Sequence, residues 1–522
     1  MSGTTRHAAS WTGITRRKAL QATSAGSLLA ALGGRGFHHV SAQGEPNPIV
    51  IPDTGAALPT GDVTFRVMSQ GPGPRTPFYE AFFAAYGEAH PNISFQFEEL
   101  PNDQIAQILT IALQDGEAPD LFFPAGAASN IGQAVAAGWL AALDDIIPDF
   151  ETWKSRFPAG VFLDGITVFD GKTYTFPLGS SKRYGTLLFY NPEYLEQAGL
   201  DPSASPFSWQ QFREAARTLT EQGGGQYFGL AMGAEPAVLA DIINNFATSA
   251  GAAGGATLGG HIDWGTGEYT FTNDEYLAAI DLLLGLQADG SILPGALSLT
   301  QREAETNVTR GTAAMTLDGP WVIARWQEQS PDFSYGLAGQ PTPDSGTFAP
   351  IGYPPGGANY HVVSSGSELQ SVAGDILAIW GSPEGQAAFQ SIVGGSLLAI
   401  FPEAQANADL DAQSQNSIAV FDEQMRLHPD PRVRRAGVGQ VYVEHQGLQP
   451  NFGQVLQGLL SGQISDPQVA MQDLKDRADA ELDRSIEAAR NNGAEVSRDD
   501  WVFPNWDPGQ DYTDADYEAL DG

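Results

Sequence analysis

Residues 169–220 constrain the fold of this chain more than any other stretch: FDGKTYTFPLGSSKRYGTLLFYNPEYLEQAGLDPSASPFSWQQFREAARTLT. Asp170-Gly171 lies between two β-prone pairs and suits the positive φ angles of a type I′ turn. Residues 176–185, FPLGSSKRYG, are polar and flexible enough to cross between two bodies. LLFY at 187–190 reads as a buried strand. Asn191-Pro192 opens a short helix, with Pro suited to its first position. Ser208 and Gln211 make a capping box, and Phe207 and Phe212 can clasp as its hydrophobic staple. A strand pair ends, the chain crosses, and a new α/β unit begins. That pattern predicts two lobes with a cleft between them.

The preceding residues supply the first unit. Residues 63–68 alternate as a strand, and 69–75 are a loop. Phe78, Phe82, Phe83 and Tyr86 fall at helical spacing. Residues 93–97 make a second strand. Ile105, Ile108, Leu109 and Ala112 stripe a second helix, with Gly116 past its end. Residues 120–123 are a continuously apolar third strand. This alternation predicts α/β lobes, each a mostly parallel sheet flanked by helices. Ligands bind such sheets at the strands' carboxyl ends, where the loops 69–75 and 124–129 stand. Further on, the Gly/Ala-rich run 249–260 reads as a mobile surface insertion. Thr272 and Glu275 predict another capping box, with Phe271 and Tyr276 as its staple. A strand at 313–317 leads into Asp318-Gly319-Pro320-Trp321 and a helix, and 335–338 reads as a second crossing. Asp466-Pro467 starts a helix with Met471, Leu474, Ala478, Leu482 and Ile486 on one face. The tail, 507–522, is acidic and reads as loose.

A chain of 522 residues is long for a single core, which also favours two lobes. With 62 acidic against 26 basic residues the net charge is −36. Such a surface repels nucleic acid and anionic membrane. There is no cysteine. That excludes disulfides, thiol catalysis, thiolate metal sites and a lipid-anchoring Cys. Thr15-Arg16-Arg17-Lys18-Ala19-Leu20 resembles a twin-arginine export signal. It is followed by an apolar run to Leu32 and a small-residue cleavage site, Val40-Ser41-Ala42. Residues 1–42 hold five basic and no acidic side chains, so the remainder carries 21 against 62. Residues 43–60, rich in Pro and Gly, read as a flexible leader. The expected product is exported to the periplasm or the outer face of a bacterial membrane.

Catalytic signatures are missing. Gly171-Lys172-Thr173 invites a P-loop search, but the motif needs glycine at position 166, where Ile166 stands. There is no HExxH, GxSxG or dinucleotide fingerprint. No histidine has metal-ligand spacing, and no cofactor is expected. The doublets Glu98-Glu99, Asp144-Asp145 and Asp499-Asp500 read as solvated. The acidic tail lacks the glycine and spacing of a calcium loop. Aromatic residues are more informative. Trp321 follows a strand and turn and precedes a helix, at a strand's carboxyl end. There it could stack on a sugar ring or pack in the core. Trp209 and Trp380 read as core, and Trp139 as the plug of a helix end. Tyr184, inside the crossing, could line the cleft or brace the hinge.

Four patches together resemble the extracellular solute-binding proteins of ABC importers, in the sugar-binding group that includes maltodextrin binders. They are APDLFF (118–123), DGKTYTFPLGSSKRYGTLLFYNPEYLEQAGL (170–200), GTAAMTLDGPW (311–321) and SPEGQAAF (382–389). The last is followed by VLQGLLSGQISDPQVAMQDL (455–474). The resemblance implies two lobes, 61–180 with 338–400 and 181–337 with 401–500, closing on a ligand. It implies a monomer that captures a mono- or oligosaccharide, delivers it to a membrane permease and performs no chemistry. Trp321 matches the stacking tryptophan. Glu235-Pro236 matches a Glu-Pro pair on a cleft loop, and the loops 69–75 and 124–129 match contacts from the other lobe. Gln70, Ser180 and Tyr184 join the candidate ligand-binding set by loop position, and Asp318 and Tyr353 complete it. Residues 124–128 and Ala237 stand where maltodextrin binders carry an aromatic and an acid, and an aromatic, respectively. That departure argues against maltodextrin itself. A polyamine, peptide or metal ligand, and a secreted glycosidase with two carboxylates, are the alternative readings.

Overall fold

The structure is a computed structural model and describes residues 49–158 and 160–521. The predicted export signal and the first residues of the leader lie outside these. Two sheets organise the described chain. The first has five strands in the order Ile93–Leu100, Val63–Gln70, Leu121–Phe122, Ala358–Val363, Phe176–Gly179. The second has four, in the order Gly336–Ala338, Leu187–Tyr190, Ala313–Asp318, Phe228–Ala231.

Both sheets are mixed, and the mixing follows the chain path. Val63–Gln70 pairs parallel with Ile93–Leu100 and Leu121–Phe122, and Ala313–Asp318 pairs parallel with Phe228–Ala231. Every antiparallel pairing within the two sheets involves a strand that flanks a crossing. These strands are Phe176–Gly179 and Leu187–Tyr190 at the first, and Gly336–Ala338 and Ala358–Val363 at the second. The helix-linked strands are therefore parallel, as the alternation predicts, and the crossing strands are not.

Helices cover both faces of each sheet. Along Leu187–Tyr190, Leu187 and Phe189 pack with Val322, Ile323 and Trp326, while Leu188 and Tyr190 pack with Phe212, Ala216 and Leu219. This is the two-residue alternation of a strand buried on both sides. In the first sheet Phe65 and Val67 join Phe78, Phe82 and Trp380, whereas Met68 and Phe122 join Ile105 and Leu109. Trp380 is the hub of that core, with the rings of Phe78, Tyr79, Phe82 and Phe83 at 5.4–6.3 Å.

Short-range signals are realised at several points. Asp170 and Gly171 adopt φ of 51° and 74° between the paired strands Val168–Phe169 and Lys172–Thr173. Ser208 and Gln211 form the reciprocal capping box of the helix Trp209–Gly223. Asp466 caps Pro467–Asn491, and the five residues of its apolar face are all buried. The expected Thr272–Glu275 box does not form. Asn273 takes the cap position of Asp274–Ala288, so Glu275 falls one residue short of the reciprocal position. Phe271 and Tyr276 still meet edge-on, at 6.4 Å.

Three segments expected to be loose are packed. Within 249–260, Gly255–Thr257 pairs with Gly260–Ile262 as a hairpin. Gly254, at φ 127°, lies so close to the hairpin that a Cβ would come within 1.9 Å of the Ile262 carbonyl oxygen. Its glycines therefore serve close packing rather than mobility. Residues 49–60 lack regular secondary structure, but Ile49 is buried in the first-sheet core and Ile51 and Leu58 pack against it. Thr54 Oγ1 also donates to Asp375, which accepts a second bond from the Tyr86 hydroxyl at 2.5 Å. The tail is anchored too. Trp501, Phe503 and Tyr512 are buried in the second-sheet core, and the Tyr517 hydroxyl accepts from Asp430 N at 2.7 Å.

The two crossings are bound to each other by a buried polar network. Thr186 Oγ1 donates to Gln340 Oε1 at 2.5 Å, and Gln340 Nε2 donates to the Asn245 carbonyl at 3.1 Å. The Tyr184 hydroxyl donates to Gln424 Oε1 at 2.5 Å and accepts from Gln340 N at 3.4 Å.

Candidate functional site

Asp318-Gly319-Pro320-Trp321 ends a strand of the second sheet and starts the helix Trp321–Gln329. Each of the four residues has a mechanical part. Asp318 Oδ1 accepts from Gly319 N and from Trp321 Nε1, both at 2.7 Å, which fixes the indole. A Cβ at residue 319 would meet the indole at 2.3 Å, so glycine makes room for the ring. Pro320 is the N-cap of the helix. The indole is thus mounted in one orientation, half-buried, on the wall of a cavity of about 360 Å³.

The cavity is built from the first turns of three helices. Pro236–Ser249 brings Glu235 at its cap, then Val238 and Asp241 one and two turns along. Gln301–Thr309, entered through the Thr300–Glu303 capping box, brings Gln301, Arg302 and Glu305. Trp321–Gln329 brings Trp321 and Arg325. Spacings of three and four residues place such pairs on one helical face. Gln301 ties the three helices together. Its backbone N donates to Glu235 Oε2 at 2.8 Å, its Nε2 donates to Asp318 Oδ2 at 2.9 Å, and its Oε1 accepts from Gly233 N at 2.8 Å.

Electrostatically the cavity divides into a closed network and one open carboxylate. Asp318 and Glu305 are both 2 % exposed, and Glu305 is ion-paired with Arg325. Burial first, and the charge and hydrogen bond of Glu305 next, push the Asp318 carboxyl well above the usual carboxylate range. Asp318 serves at the same time as the acceptor that holds Trp321. Asp241 is different. Solvent in the cavity reaches its carboxylate, which has no structural ion pair among the described residues. The protein around it nonetheless pushes the group up to about 6. Its Oδ2 stands against the crossing, where a Cβ at Gly185 would approach to 2.1 Å. An indole face beside carboxylate and amide acceptors offers apolar stacking for a ring and hydrogen-bond partners for its hydroxyls.

Of the seven residues expected at the site, Trp321, Glu235 and Asp318 line this cavity. Gln70 lies outside the lining, where its carbonyl and Oε1 accept from Arg75 Nη2 at 3.3 Å. The other three do not line it either. Tyr184 is buried with its hydroxyl engaged and its ring edge-on to Phe421 at 5.1 Å, so it braces the crossing. The Ser180 hydroxyl accepts from Lys182 N at 3.1 Å and turns the chain. Tyr353 lies in the Ile351–Tyr353 strand, paired with Met425–Leu427. The loop 124–129 is also packed down rather than presented. Ala125 and Ala128 are buried, and a Cβ at Gly126 would come within 2.5 Å of the Ala106 carbonyl oxygen. Asp241, Gln301, Arg302, Glu305 and Arg325 escaped the sequence reading. The signal for two of them was present: Asp241 lies two turns after Glu235, and Arg325 one turn after Trp321.

Comparison with known proteins gives the family and the fold of this chain. The family described as bacterial extracellular solute-binding protein matches residues 72–387. A Brucella abortus (strain 2308) protein named as a binding protein is 27% identical over 282 residues, 53% of this chain and 62% of the relative. The chain thus spans less than two thirds of the length of that curated relative. Among solved structures, the GacH receptor of Streptomyces glaucescens, determined unliganded and with acarbose, superposes with a TM-score of 0.61 at 19% identity. It covers 81% of this chain and 99% of that one. The maltotriose-bound maltose/maltodextrin-binding domain of Bdellovibrio bacteriovorus gives 0.59 at 18%, covering 81% and 100%. These similarities establish the two-lobed periplasmic-binding-protein fold.

Proposed function

Because the chain belongs to the bacterial extracellular solute-binding protein family, we propose that it is the exported substrate-binding component of an ABC importer. It captures a short carbohydrate in the Trp321 cavity and delivers it to a membrane permease, without chemistry of its own. The lobes are 61–180 with 338–400 and 181–337 with 401–500. Ligand held between them selects the closed state, and the permease reads that closure.

The carrying observation is the mounted indole. A tryptophan placed only to fill a core needs no rigid bond to a buried acid and no glycine cleared beneath it. Trp321 has both, beside a cavity at the small end of the usual ligand-pocket range of about 300–1,000 Å³. That volume suits a mono- or disaccharide. The solved neighbours bound to acarbose and maltotriose support a sugar in this fold. The glycosidase reading loses support because Asp318 and Glu305 are committed to Trp321, Gln301 and Arg325. Among the described residues no helix is long and apolar enough to cross a membrane.

A thermal-shift screen of mono- and oligosaccharides against spermidine and metal salts tests the reading, since a ligand of the folded state raises its melting temperature. We expect a shift with a sugar and none with spermidine; the reverse result overturns the proposal. Trp321→Ala should weaken binding of that sugar tenfold or more while the variant still melts cooperatively. Unchanged affinity returns Trp321 to a packing role.

A further inference from the structure

An arginine withdrawn from water without a carboxylate partner needs a cause, because desolvating an unpaired charge is costly. Two such arginines are near enough to act on each other, one in the loop 69–75 and one in the first crossing. Arg75, in the loop 69–75, is 8 % exposed and forms no ion pair among the described residues. Its guanidinium lies 5.4 Å from the Phe123 ring centre and donates to Asn359 Oδ1 and to the carbonyl and Oε1 of Gln70. Arg183, in the first crossing, donates to the Ser180 carbonyl at 2.8 Å and likewise has no ionic partner there. The two cations feel each other. Burial first, and then the Arg75 charge, lower Arg183 to about 10. A neighbouring acid, Glu99, accepts from Thr76 Oγ1 at 2.8 Å and is pushed up to about 7 by burial, against the pull of Arg75. Asn359 Nδ2 is buried and without a partner. Asn359 itself is held at φ 59°, a left-handed conformation uncommon for a residue other than glycine.

Two links tie these groups to the cavity wall. Arg302, on the cavity wall, donates to the Pro72 carbonyl at 3.1 Å, which sets the loop 69–75 against it. Gly185, two residues after Arg183, is part of the lining. Two guanidinium groups without an anion, one buried and one half-buried, and an unpaired amide N–H are costly unless an anion completes them. The forked guanidinium matches a carboxylate or phosphate better than it matches hydroxyls.

We propose that Arg75, Arg183 and the Asn359 amide form an anion subsite beside the Trp321 cavity, and that the captured sugar carries a carboxylate or phosphate group. This inference rests on the carbohydrate reading and narrows it. The neutral ring lies on Trp321 near Asp241, and the acidic substituent reaches the arginines.

Isothermal titration with paired probes tests it: D-glucuronate and D-glucose 6-phosphate against D-glucose, and digalacturonate against galactobiose. An acidic member should bind at least tenfold tighter than its neutral partner. That ratio should shrink as NaCl is raised from 50 to 500 mM, and the carboxylate and phosphate arms decide which anion is preferred. Arg183→Gln, at a half-buried position that tolerates change better than Arg75, should bring the ratio toward one; Arg183→Lys should keep part of it. Neutral sugars binding as tightly as acidic ones overturn the subsite and leave the carbohydrate reading standing. So does a folded Arg183→Gln variant with an undiminished ratio. Binding of spermidine and of no sugar overturns both.

Discussion

At the scale of single residues, Glu99 gives the sharpest solution prediction. Its ordinary carboxyl value is 4.5, and burial raises it to about 7 in the fold, with Arg75 and the Thr76 hydroxyl opposing and Glu80 adding to the rise. A raised folded value means the native state keeps its proton longer than the unfolded chain. Stability is therefore undiminished below about pH 4.5, falls as the pH rises toward 7, and then levels off. Glu99→Gln should remove this slope, sparing the native state on the order of 2 kcal/mol at pH 8. Urea unfolding of both proteins from pH 4 to pH 8 measures the difference; parallel curves for the two proteins refute it. His261 and His361, held near 3 by burial, act the other way in the same range. They lose stability as the pH falls below 6.5, so the comparison must be between variants rather than within one curve. At this scale, position after a strand singled out Trp321 and the family resemblance singled out Glu235; both line the cavity, as does Asp318. Which way a side chain points within a crossing is decided by tertiary packing. That is why Tyr184 and Ser180, expected at the site from loop position, do not line the cavity. Tyr353 is drawn away from the cavity lining by a short strand that pairs with residues more than seventy positions away.

At the scale of elements, local chemistry was readable wherever it closes on itself. Ser208 with Gln211, Asp466 with Pro467 and Asp170 with Gly171 each need only neighbours within a few residues. The Thr272 box failed through a one-residue shift that the sequence does not encode. The hairpin at 255–262 was missed because its glycines are selected by a close backbone approach, which composition alone mimics as looseness. The crossings belong to this scale as well. Gln340 is fully buried, and its backbone N–H, side-chain oxygen and side-chain nitrogen are all engaged. Gln340→Leu should cost about 2–4 kcal/mol, because it leaves the Thr186 hydroxyl and the Asn245 carbonyl without partners in a dry site. Adding Thr186→Val to that variant should cost little more, since its hydroxyl bond is already lost. Chemical unfolding of the two variants reads this directly, and full additivity of the two changes speaks against a shared network.

At the scale of the whole molecule, the alternation of strands and helices carried most of the fold into view. Strand direction was legible only where a helix joins two strands, because crossing strands take their partners from another part of the chain. The fate of the chain's ends was the least legible feature, since Pro/Gly-rich or acidic composition does not reveal apolar anchors such as Ile49 and Trp501. Those anchors have a practical consequence. Residues 49–60 pack against the first-sheet core and residues 501–517 against the second, so these two segments are anchored to different sheets. The native chain has no cysteine to interfere with labelling. Dyes on Ala57→Cys and Ala515→Cys, both at exposed positions, make the protein its own ruler. Energy transfer between them should shift when a sugar is captured and return when it is washed away, and a constant signal under saturating ligand would mean that the halves do not rotate about the crossings.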